Sequence, residues 1–478
     1  MLLFVSLAVG LALSMLVALW LASRANAANI PVSRLSRVAG LAAMSCRLAL
    51  NGLRRRIGGV LTSRREREAR DRRLQEQAAR VALDAMGSMK GVMMKLGQIM
   101  SFMDDALPEV YRVELARLQS NAPPMVWELV EAQLRLELGD DPRRYFRSIE
   151  REPIAAASIG QVHRAVTREG HAVAVKVQYP GVEAAIRADL DNYDLLSSLL
   201  QAVTPSMESG PVAAELRDRM LEELDYRREA ENQEVFRALY RDDPSIFVPR
   251  VYHELSTERV LVTELVQGAK PFYEFAATGN EAAKRRAVDA IYRFAFDSIY
   301  DHQVFNGDPH PGNYLFMADG RVAFLDFGCV RRFSPAFIAD LRELNRRYLS
   351  GDRAAFREQM IGMGYILPRM VDKVGADWLW EYMRYYYLPI LEDAPFEMTS
   401  DYCRQAIGAM FGPAMRKLNM PGEFLLFNRI TFGLNSIFAR LGARENFQRR
   451  ASRYFFAERA RSRAPSLDRG ELEHRLLL

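Results

Sequence analysis

The chain has 478 residues, of which 49% are hydrophobic and 26% are charged. That length is enough for two or three packed units, and the composition excludes an intrinsically disordered protein. The three cysteines, Cys46, Cys329 and Cys403, lie far apart without a CxxC pair or a Cys/His cluster. The sequence therefore predicts neither a disulfide framework nor a structural zinc site, and it favours a reducing compartment.

The net charge of +5 is concentrated in one segment. Residues 23–80 contain fourteen Arg, no Lys and four acidic residues, whereas residues 1–22 carry no charged side chain. The rest of the chain is therefore net acidic, and we expect no nucleic-acid partner for the body of the protein.

Residues 1–22 are predicted to form a transmembrane anchor. The run from Leu2 to Leu21 is uncharged and almost wholly apolar, and about twenty such residues can cross a bilayer as a helix. A cleaved signal peptide is the alternative, indicated by the small residues 25–27, although no Lys or Arg precedes the run. Because the arginines follow it, the positive-inside rule predicts a single N-terminal span in the inner (cytoplasmic) membrane, with the body in the cytoplasm.

Residues 23–80 are predicted to be a basic juxtamembrane segment. Arginines recur through it among apolar and small residues, and anionic lipid headgroups attract such side chains by about 1 kcal/mol each. A solvated helical linker is the alternative. We expect contact with anionic headgroups because the predicted anchor lies directly upstream.

Residues 81–149 are predicted to be a helical extension. A first helix, Arg80–Asp104, has a face of apolar residues at spacings of three and four, with Lys95 and Gln98 pointing away from it. The apolar face consists of Met86, Met89, Met93, Leu96, Met100 and Met103. A methionine face is usually core packing, so the helix would present a cation and an amide elsewhere. A second helix is predicted over Val126–Leu138.

Beyond this extension the pattern predicts an α+β protein with a β-rich lobe at 150–268 and a helical lobe at 269–460. The residues 461–478 form a polar tail. Within the first lobe, short strands around a small-residue turn are predicted in Ile154–Ala165 and Ala172–Val177. The other elements predicted there are a charged helix over Glu215–Leu239 and strands over Val248–Glu254 and Arg259–Leu265.

The strongest chemical signal lies between residues 306 and 328. Asp308 is followed by Asn313 and then by Asp326-Phe-Gly, the spacing with which kinase-like folds hold Mg²⁺ and a nucleotide. Asp308 is the candidate to orient or deprotonate a hydroxyl, whereas Asn313 and Asp326 are the candidate metal ligands, since Mg²⁺ prefers oxygen donors. A simple turn is the alternative for Asp326, and His310 could touch phosphate or brace the loop.

Further candidates lie upstream. Lys176 ends a strand-like alternation from which a lysine can reach nucleotide phosphates, and Glu229 is its predicted carboxylate partner. Glu264 is a further candidate for nucleotide binding. Where protein kinases have a glycine-rich turn, this chain has an alanine-rich one, which leaves less room above a nucleotide. The candidate nucleotide-binding residues of that turn are Ala155, Ala156, Ala157, Ser158, Ile159 and Gly160.

Together these motifs resemble the UbiB/ADCK (AarF) family of atypical protein-kinase-like ATPases, from about Val81 to Phe333. Lys95-Leu-Gly-Gln98 is similar to its KxGQ motif, residues 155–161 to its alanine-rich loop, and Glu223-Leu-Asp225 to its ExD motif. The resemblance implies an atypical two-lobe kinase-like fold with the KxGQ helix over the active site. Lys95 and Gln98 would then face the nucleotide pocket beside Glu223 and Asp225, which would also bind the nucleotide.

The resemblance further implies ATP and Mg²⁺ as cofactors, with ATP hydrolysis and little protein phosphorylation. It implies a role in ubiquinone or other prenylquinone biosynthesis, or in lipid handling. The partners would be membrane lipids, prenylquinone intermediates or the enzymes that modify them, and a homodimer is compatible with the sequence. Two alternatives stay open: a genuine protein or small-molecule phosphotransferase, and a nucleotide-binding membrane scaffold.

Overall fold

The computed structural model describes residues 125–157, 159–190, 221–410, 417–419 and 421–456. The predicted anchor, the basic segment, the helix with Lys95 and Gln98, Ser158 and the polar tail lie outside these ranges. Within them, no helix combines the length and the apolar character needed to cross a bilayer. The chain divides into two compact units, one formed by Met1–Gly170 and Val175–Leu224 and the other by His171–Ala174 and Asp225–Leu478.

The described part of the first unit begins with helix α1, Trp127–Leu138. It buries Val130 and Leu134, which lie one turn apart on the same face. The helix ends at Gly139, whose φ of 71° is left-handed and whose N–H donates to the Arg135 carbonyl at 3.0 Å. Glycine adopts this conformation without a Cβ penalty, which accounts for the end of the helix. The predicted helix Val126–Leu138 is confirmed, with Val126 as its N-cap.

An antiparallel hairpin follows, made of β1 (Phe146–Ala157) and β2 (Gly160–Thr167). Ala157 pairs with Gly160, so the chain reverses between these two residues. The strands predicted around a small-residue turn are therefore confirmed, but the three alanines lie in β1 itself. Strand β3 (Ala172–Gln178) and helix α2 (Val182–Leu190) come next. The last four residues of β3 belong to the first unit and its first three to the second.

Helix α3, Tyr226–Leu239, is the first helix of the second unit, and it corrects the predicted helix over 215–239, of which residues 215–220 lie outside the described ranges. Residues 223–225 are not helical, and Asp225, in an extended conformation, caps α3 by accepting the Arg227 N–H at 3.0 Å. An aspartate that bonds a nearby backbone N–H starts a helix, which is why the charged stretch is interrupted.

The strand predicted over Val248–Glu254 is wrong. The strand there is β4, Ile246–Phe247, and Val251 forms only an isolated bridge with Thr263. Pro249 has no N–H to donate to a ladder, which accounts for the break. The strand predicted over Arg259–Leu265 is confirmed as β5, Val260–Glu264.

Short strands position the motifs of the second unit. One sheet has the order β4-β9-β8-β6, and β7 pairs with β10 and β11 with β12, both antiparallel. The bounds are β6 Lys270–Pro271, β7 Val304–Asn306, β8 Tyr314–Phe316, β9 Val322–Phe324, β10 Val330–Arg332, β11 Phe396–Glu397 and β12 Arg444–Glu445.

The remainder of this unit is helical, although the strands β6 to β12 interrupt the helical lobe predicted at 269–460. The helices are α4 Phe272–Thr278, α5 Glu281–Tyr300, α6 Pro335–Leu349, α7 Arg353–Gly362, α8 Ala376–Leu391, α9 Ser400–Met410, α10 Gly422–Arg440 and α11 Phe447–Phe456. Their buried faces form one large core that includes Phe294, whose ring stacks on Phe324 at 3.7 Å. Cys329 and Cys403 are buried, and Cys403 belongs to this core. The mixed helix and sheet class is confirmed.

Candidate functional site

The loop that carries Asp308 and Asn313 is braced by its own side chains. It leaves β7 at Asn306 and makes a short 3₁₀ turn, Pro311–Asn313. The Asn313 side-chain N–H donates to the Asp308 carbonyl at 2.9 Å, and His310 Nδ1 accepts the Gly312 N–H at 3.0 Å. His310 therefore braces the loop, and its contact with phosphate stays a prediction.

The hairpin of β8 and β9 brings Asn313 and Asp326 to the same edge. Tyr314 pairs with Phe324, and the Leu325 N–H donates to the Asn313 carbonyl at 3.1 Å. Asn313 directly precedes β8, and Asp326 follows β9 after one intervening residue. Because adjacent antiparallel strands have opposite directions, the entry to β8 and the exit from β9 lie side by side.

The Asp326-Phe327-Gly328 segment is tied to the same loop. Asp326 Oδ1 accepts the Gly328 N–H at 3.0 Å, and the Asn306 side-chain N–H donates to the Asp326 carbonyl. The Gly307 N–H donates to the Cys329 carbonyl at 2.6 Å. These bonds connect the two motif segments directly.

Helix α3 packs one face against this segment. Glu229, Asn232 and Phe236 lie on that face at spacings of three and four residues. The Asn232 side-chain N–H donates to the Phe327 carbonyl at 3.1 Å, and the rings of Phe236 and Phe327 are 5.1 Å apart. Glu229 is buried, and a Cβ built at Gly328 would be 3.6 Å from its Oε2. The predicted acidic residue thus lies beside the metal motif.

Arg429 on α10 pairs with Asp308. Its Nη2 lies 3.2 Å from Asp308 Oδ1, and the two side chains are only 12% and 14% exposed. Burial also raises the pKa of Tyr314 well above its usual value, and the charge of Asp308 raises it further. The candidate base therefore pairs with a fixed cation, and its charge helps to keep the Tyr314 phenol neutral.

Three residues of this constellation were not predicted from the sequence: Asn232, Asn306 and Arg429. Asn306 had a signal, because it opens the motif segment, and Asn232 lies one helical turn after Glu229. Arg429 is 121 residues from Asp308. No spacing connects a residue that distant in sequence with the motif, so only the folded chain reveals it.

Other candidates have structural partners of their own. The Asp225 carboxylate caps α3, and Glu264 Oε2 accepts the Arg250 N–H at 3.3 Å. Glu223 is half-buried in the turn before α3. A role of these three carboxylates in nucleotide binding stays a prediction.

The candidates of the first unit lie on its sheet. Lys176 is half-buried on β3 between Val175 and Val177, which are fully buried. A Cβ at Gly160 would overlap the Val177 carbonyl oxygen and lie 2.9 Å from its carbon, so only glycine fits there. The remaining described loop residues differ in burial: Ala155 and Ala156 are exposed, Ala157 is half-buried and Ile159 is buried. The pairing of Lys176 with Glu229 stays a prediction, and Lys95 and Gln98 lie outside the described residues.

The donor set of the second unit suits a hard cation. Asp326 supplies a carboxylate. The Asn313 side-chain N–H₂ donates to the Asp308 carbonyl, so the amide oxygen is the atom of Asn313 that can bind a metal ion. Within the described ranges, no cluster of three or more His, Cys, Asp or Glu residues could hold a metal by itself. One carboxylate and one amide fit Mg²⁺ that also binds phosphate oxygens and water.

Comparison with known proteins places these motifs in one family. Residues 117–360, about half of the chain, match the family model described as the ABC1 atypical kinase-like domain. Atypical kinase COQ8B, mitochondrial, of Rattus norvegicus is 32% identical over 342 residues, which cover 70% of this chain and 63% of the relative. The uncharacterized protein sll0005 of Synechocystis is 36% identical over 57% of this chain and 40% of its own length.

A solved structure is also similar. The structure of a complex of Rv3197 and erythromycin from Mycobacterium tuberculosis has a TM-score of 0.61 and 30% sequence identity, and the match covers 82% of this chain and 99% of that one. By contrast, the chain spans 63% and 40% of the length of the two curated relatives described above.

Proposed function

The chain belongs to the ABC1/AarF family of atypical kinase-like proteins, and on that premise we propose that it binds ATP with Mg²⁺ and hydrolyses the nucleotide at a membrane. The observation that carries the proposal is the direct connection of the Asp308 loop to the Asp326 segment through Asn306 and the β8–β9 hairpin. These are the parts with which kinase-like folds position a nucleotide and its metal.

In this proposal, Asn313 and Asp326 hold Mg²⁺, which when bound neutralises negative charge on the phosphates. Asp308 orients the attacking water and accepts its proton. Arg429 fixes the Asp308 carboxylate. It also competes for this carboxylate with the hydroxyl group of any substrate that would accept the phosphate. Lys176 binds nucleotide phosphates, and Glu229 stabilises that lysine.

We further propose that the protein supports ubiquinone or another prenylquinone pathway. The support comes from the family resemblance and from the relative named as an atypical kinase COQ8B. The apolar run at residues 2–21 and the arginines that follow support a location at the inner membrane, with contact to anionic headgroups. The proposed partners are prenylquinone intermediates or the enzymes that modify them.

Hydrolysis of ATP by the full-length protein in lipid nanodiscs tests the proposal. We expect phosphate release that is faster with anionic than with neutral lipid and that stops when EDTA removes Mg²⁺. Asp326→Asn should lower kcat by about 100-fold or more, because the motif would lose its only carboxylate ligand. Asp319→Asn, in an exposed turn where Asp319 pairs with Arg321, is the control and should keep wild-type turnover.

Other outcomes identify the alternatives. Transfer of labelled phosphate to a protein or small molecule would show a phosphotransferase, for which the Asp308 carboxylate is a suitable base. Nucleotide binding without turnover would show a scaffold. An unchanged quinone profile in a deletion strain would contradict the pathway and leave the ATP chemistry standing.

A further inference from the structure

The Gln161 side chain hydrogen-bonds both the N–H and the carbonyl of Met125. The Met125 N–H donates to Gln161 Oε1 at 2.8 Å, and Gln161 Nε2 donates to the Met125 carbonyl at 3.3 Å. Gln161 is only 1% exposed, so water does not compete for these bonds. Met125 lies two residues before α1 and is joined through the chain to the predicted extension with Lys95 and Gln98.

His163 fixes the orientation of that carboxamide. The ring is fully buried, and Nδ1 lies 2.8 Å from the Glu150 carbonyl oxygen, which can only accept a hydrogen bond. Nδ1 therefore carries the proton, and in the neutral ring Nε2 is an acceptor. Nε2 lies 2.9 Å from Gln161 Nε2, which donates to it, and the ring packs edge-on against Trp127 at 5.7 Å.

Only one orientation of the Gln161 amide satisfies all of these partners. Its two N–H groups meet two acceptors, His163 Nε2 and the Met125 carbonyl, and its oxygen meets the Met125 N–H. A flipped amide would oppose donor to donor at Met125 and acceptor to acceptor at His163. The Gln161 amide therefore has a single orientation. Because it joins the Met125 backbone to His163 in the hairpin, we call Gln161 the connector.

This connector lies next to the alanine-rich turn. Gln161 pairs with Ala156 across the hairpin and directly follows Gly160, the residue packed on the Val177 backbone. A side chain at this point links the start of α1 to the last strand pairs before the turn. Displacement of Met125 would therefore be transmitted to the turn through covalent neighbours.

We propose that Gln161, oriented by neutral His163, is the positioning residue that fixes Met125, and with it the attachment point of the segment 81–124, to the β1–β2 hairpin. The role in catalysis rests on the proposed function, because the hairpin turn and the KxGQ residues are its predicted nucleotide contacts. Loss of the connector should weaken ATP binding more than it slows turnover.

The test measures hydrogen–deuterium exchange at single-residue resolution in the full-length protein, together with the KM and kcat for ATP. Gln161→Met removes all three hydrogen bonds at nearly constant volume, and Gln161→Glu keeps an acceptor for the Met125 N–H and loses both donors. We expect the Met125 amide to exchange at least tenfold faster in Gln161→Met and by a smaller factor in Gln161→Glu. KM should rise about fivefold with kcat within twofold of wild type.

His253→Gln, at an exposed histidine of the second unit, is the matched control and should change none of these quantities. A folded Gln161→Met protein with unchanged exchange at Met125 would overturn the connector. If that variant does not fold, Gln161→Ala, which also removes all three hydrogen bonds, decides by the same criterion. Faster exchange with unchanged KM would overturn the role in nucleotide binding. A wild-type protein without ATP turnover would instead contradict the proposed function, and the exchange result would still decide the connector.

Discussion

The β1–β2 hairpin and the two motif loops of the second unit are stabilised over different distances along the chain. In the hairpin, His163 bonds Glu150, 13 residues away, and Gln161 bonds Met125, 36 residues away. In the loops, Asn232 bonds the Phe327 carbonyl across 95 residues and Arg429 pairs with Asp308 across 121. The hairpin is thus held by its neighbours in sequence, whereas the loops need helices from distant parts of the chain.

The largest expected effect on stability comes from closing the space at Gly160. Gly160→Ala should lower the free energy of unfolding by about 3 kcal/mol, because the added methyl overlaps the Val177 backbone, which cannot move independently of β3. Urea unfolding measures it. Gly408→Ala, on the exposed face of α9 with nothing near its Cβ position, should be neutral or up to about 1 kcal/mol stabilising. Equal effects at the two sites would contradict the close approach.

The distant pair of the loops should have the next largest effect. Arg429→Met should cost about 2 kcal/mol, because Asp308 then keeps a largely buried charge without this cation. Chemical denaturation of this variant, of Asp308→Asn and of the double variant gives the coupling free energy. Arg440→Met, at the exposed end of the same helix, should change stability by less than about 0.5 kcal/mol. Additive effects of Arg429→Met and Asp308→Asn would show that the pair does not stabilise the loop.

A smaller effect is expected where α3 contacts the metal motif. Asn232→Ala removes one hydrogen bond to the Phe327 carbonyl and should cost about 1 kcal/mol. Because it also loosens the segment that carries Asp326, affinity for Mg²⁺-ATP should fall, as measured by calorimetry. Glu231→Ala, on the exposed side of α3, should leave both quantities unchanged. Wild-type Mg²⁺-ATP affinity in Asn232→Ala would mean that this bond does not position the motif.

The smallest effect is a pH dependence of the hairpin. Burial lowers the pKa of His163 below its usual 6.5, while the Glu150 carbonyl and the charge of Glu152 oppose this shift. The unfolded chain therefore binds a proton at a higher pH than the folded one, and stability should fall as the pH drops below about 6.5. Protonation would also place an N–H against the Gln161 donor. His163→Asn, which keeps a donor for the Glu150 carbonyl, should lose stability less steeply on acidification than wild type, as thermal melting at pH 5 to 7 would show.

Patterns within short stretches of sequence determined the candidate catalytic loop and several helices and strands of this protein. The motif spacing from Asp308 to Asp326 identified the candidate catalytic loop, and the change of period after residue 150 predicted the strands. Helix α1 was predicted because Pro123 and Pro124 precede it and Asp140 to Pro142 follow it, and such helix-breaking residues act on their neighbours in sequence. The local pattern predicted the wrong boundaries at two places. The Asp225 side chain caps a helix within the predicted one, and Pro249 lacks the N–H that a continued strand would need.

Only the tertiary structure decided how the site is held together. The pairing of Arg429 with Asp308, the bond from Asn232 to Phe327 and the setting of Gln161 by His163 all depend on which elements pack against each other. Residue spacing encodes which side chains share one helix or one strand. It does not encode which distant helix will reach a loop, because burial of apolar faces, and not the polar contact itself, supplies most of the free energy that chooses the packing.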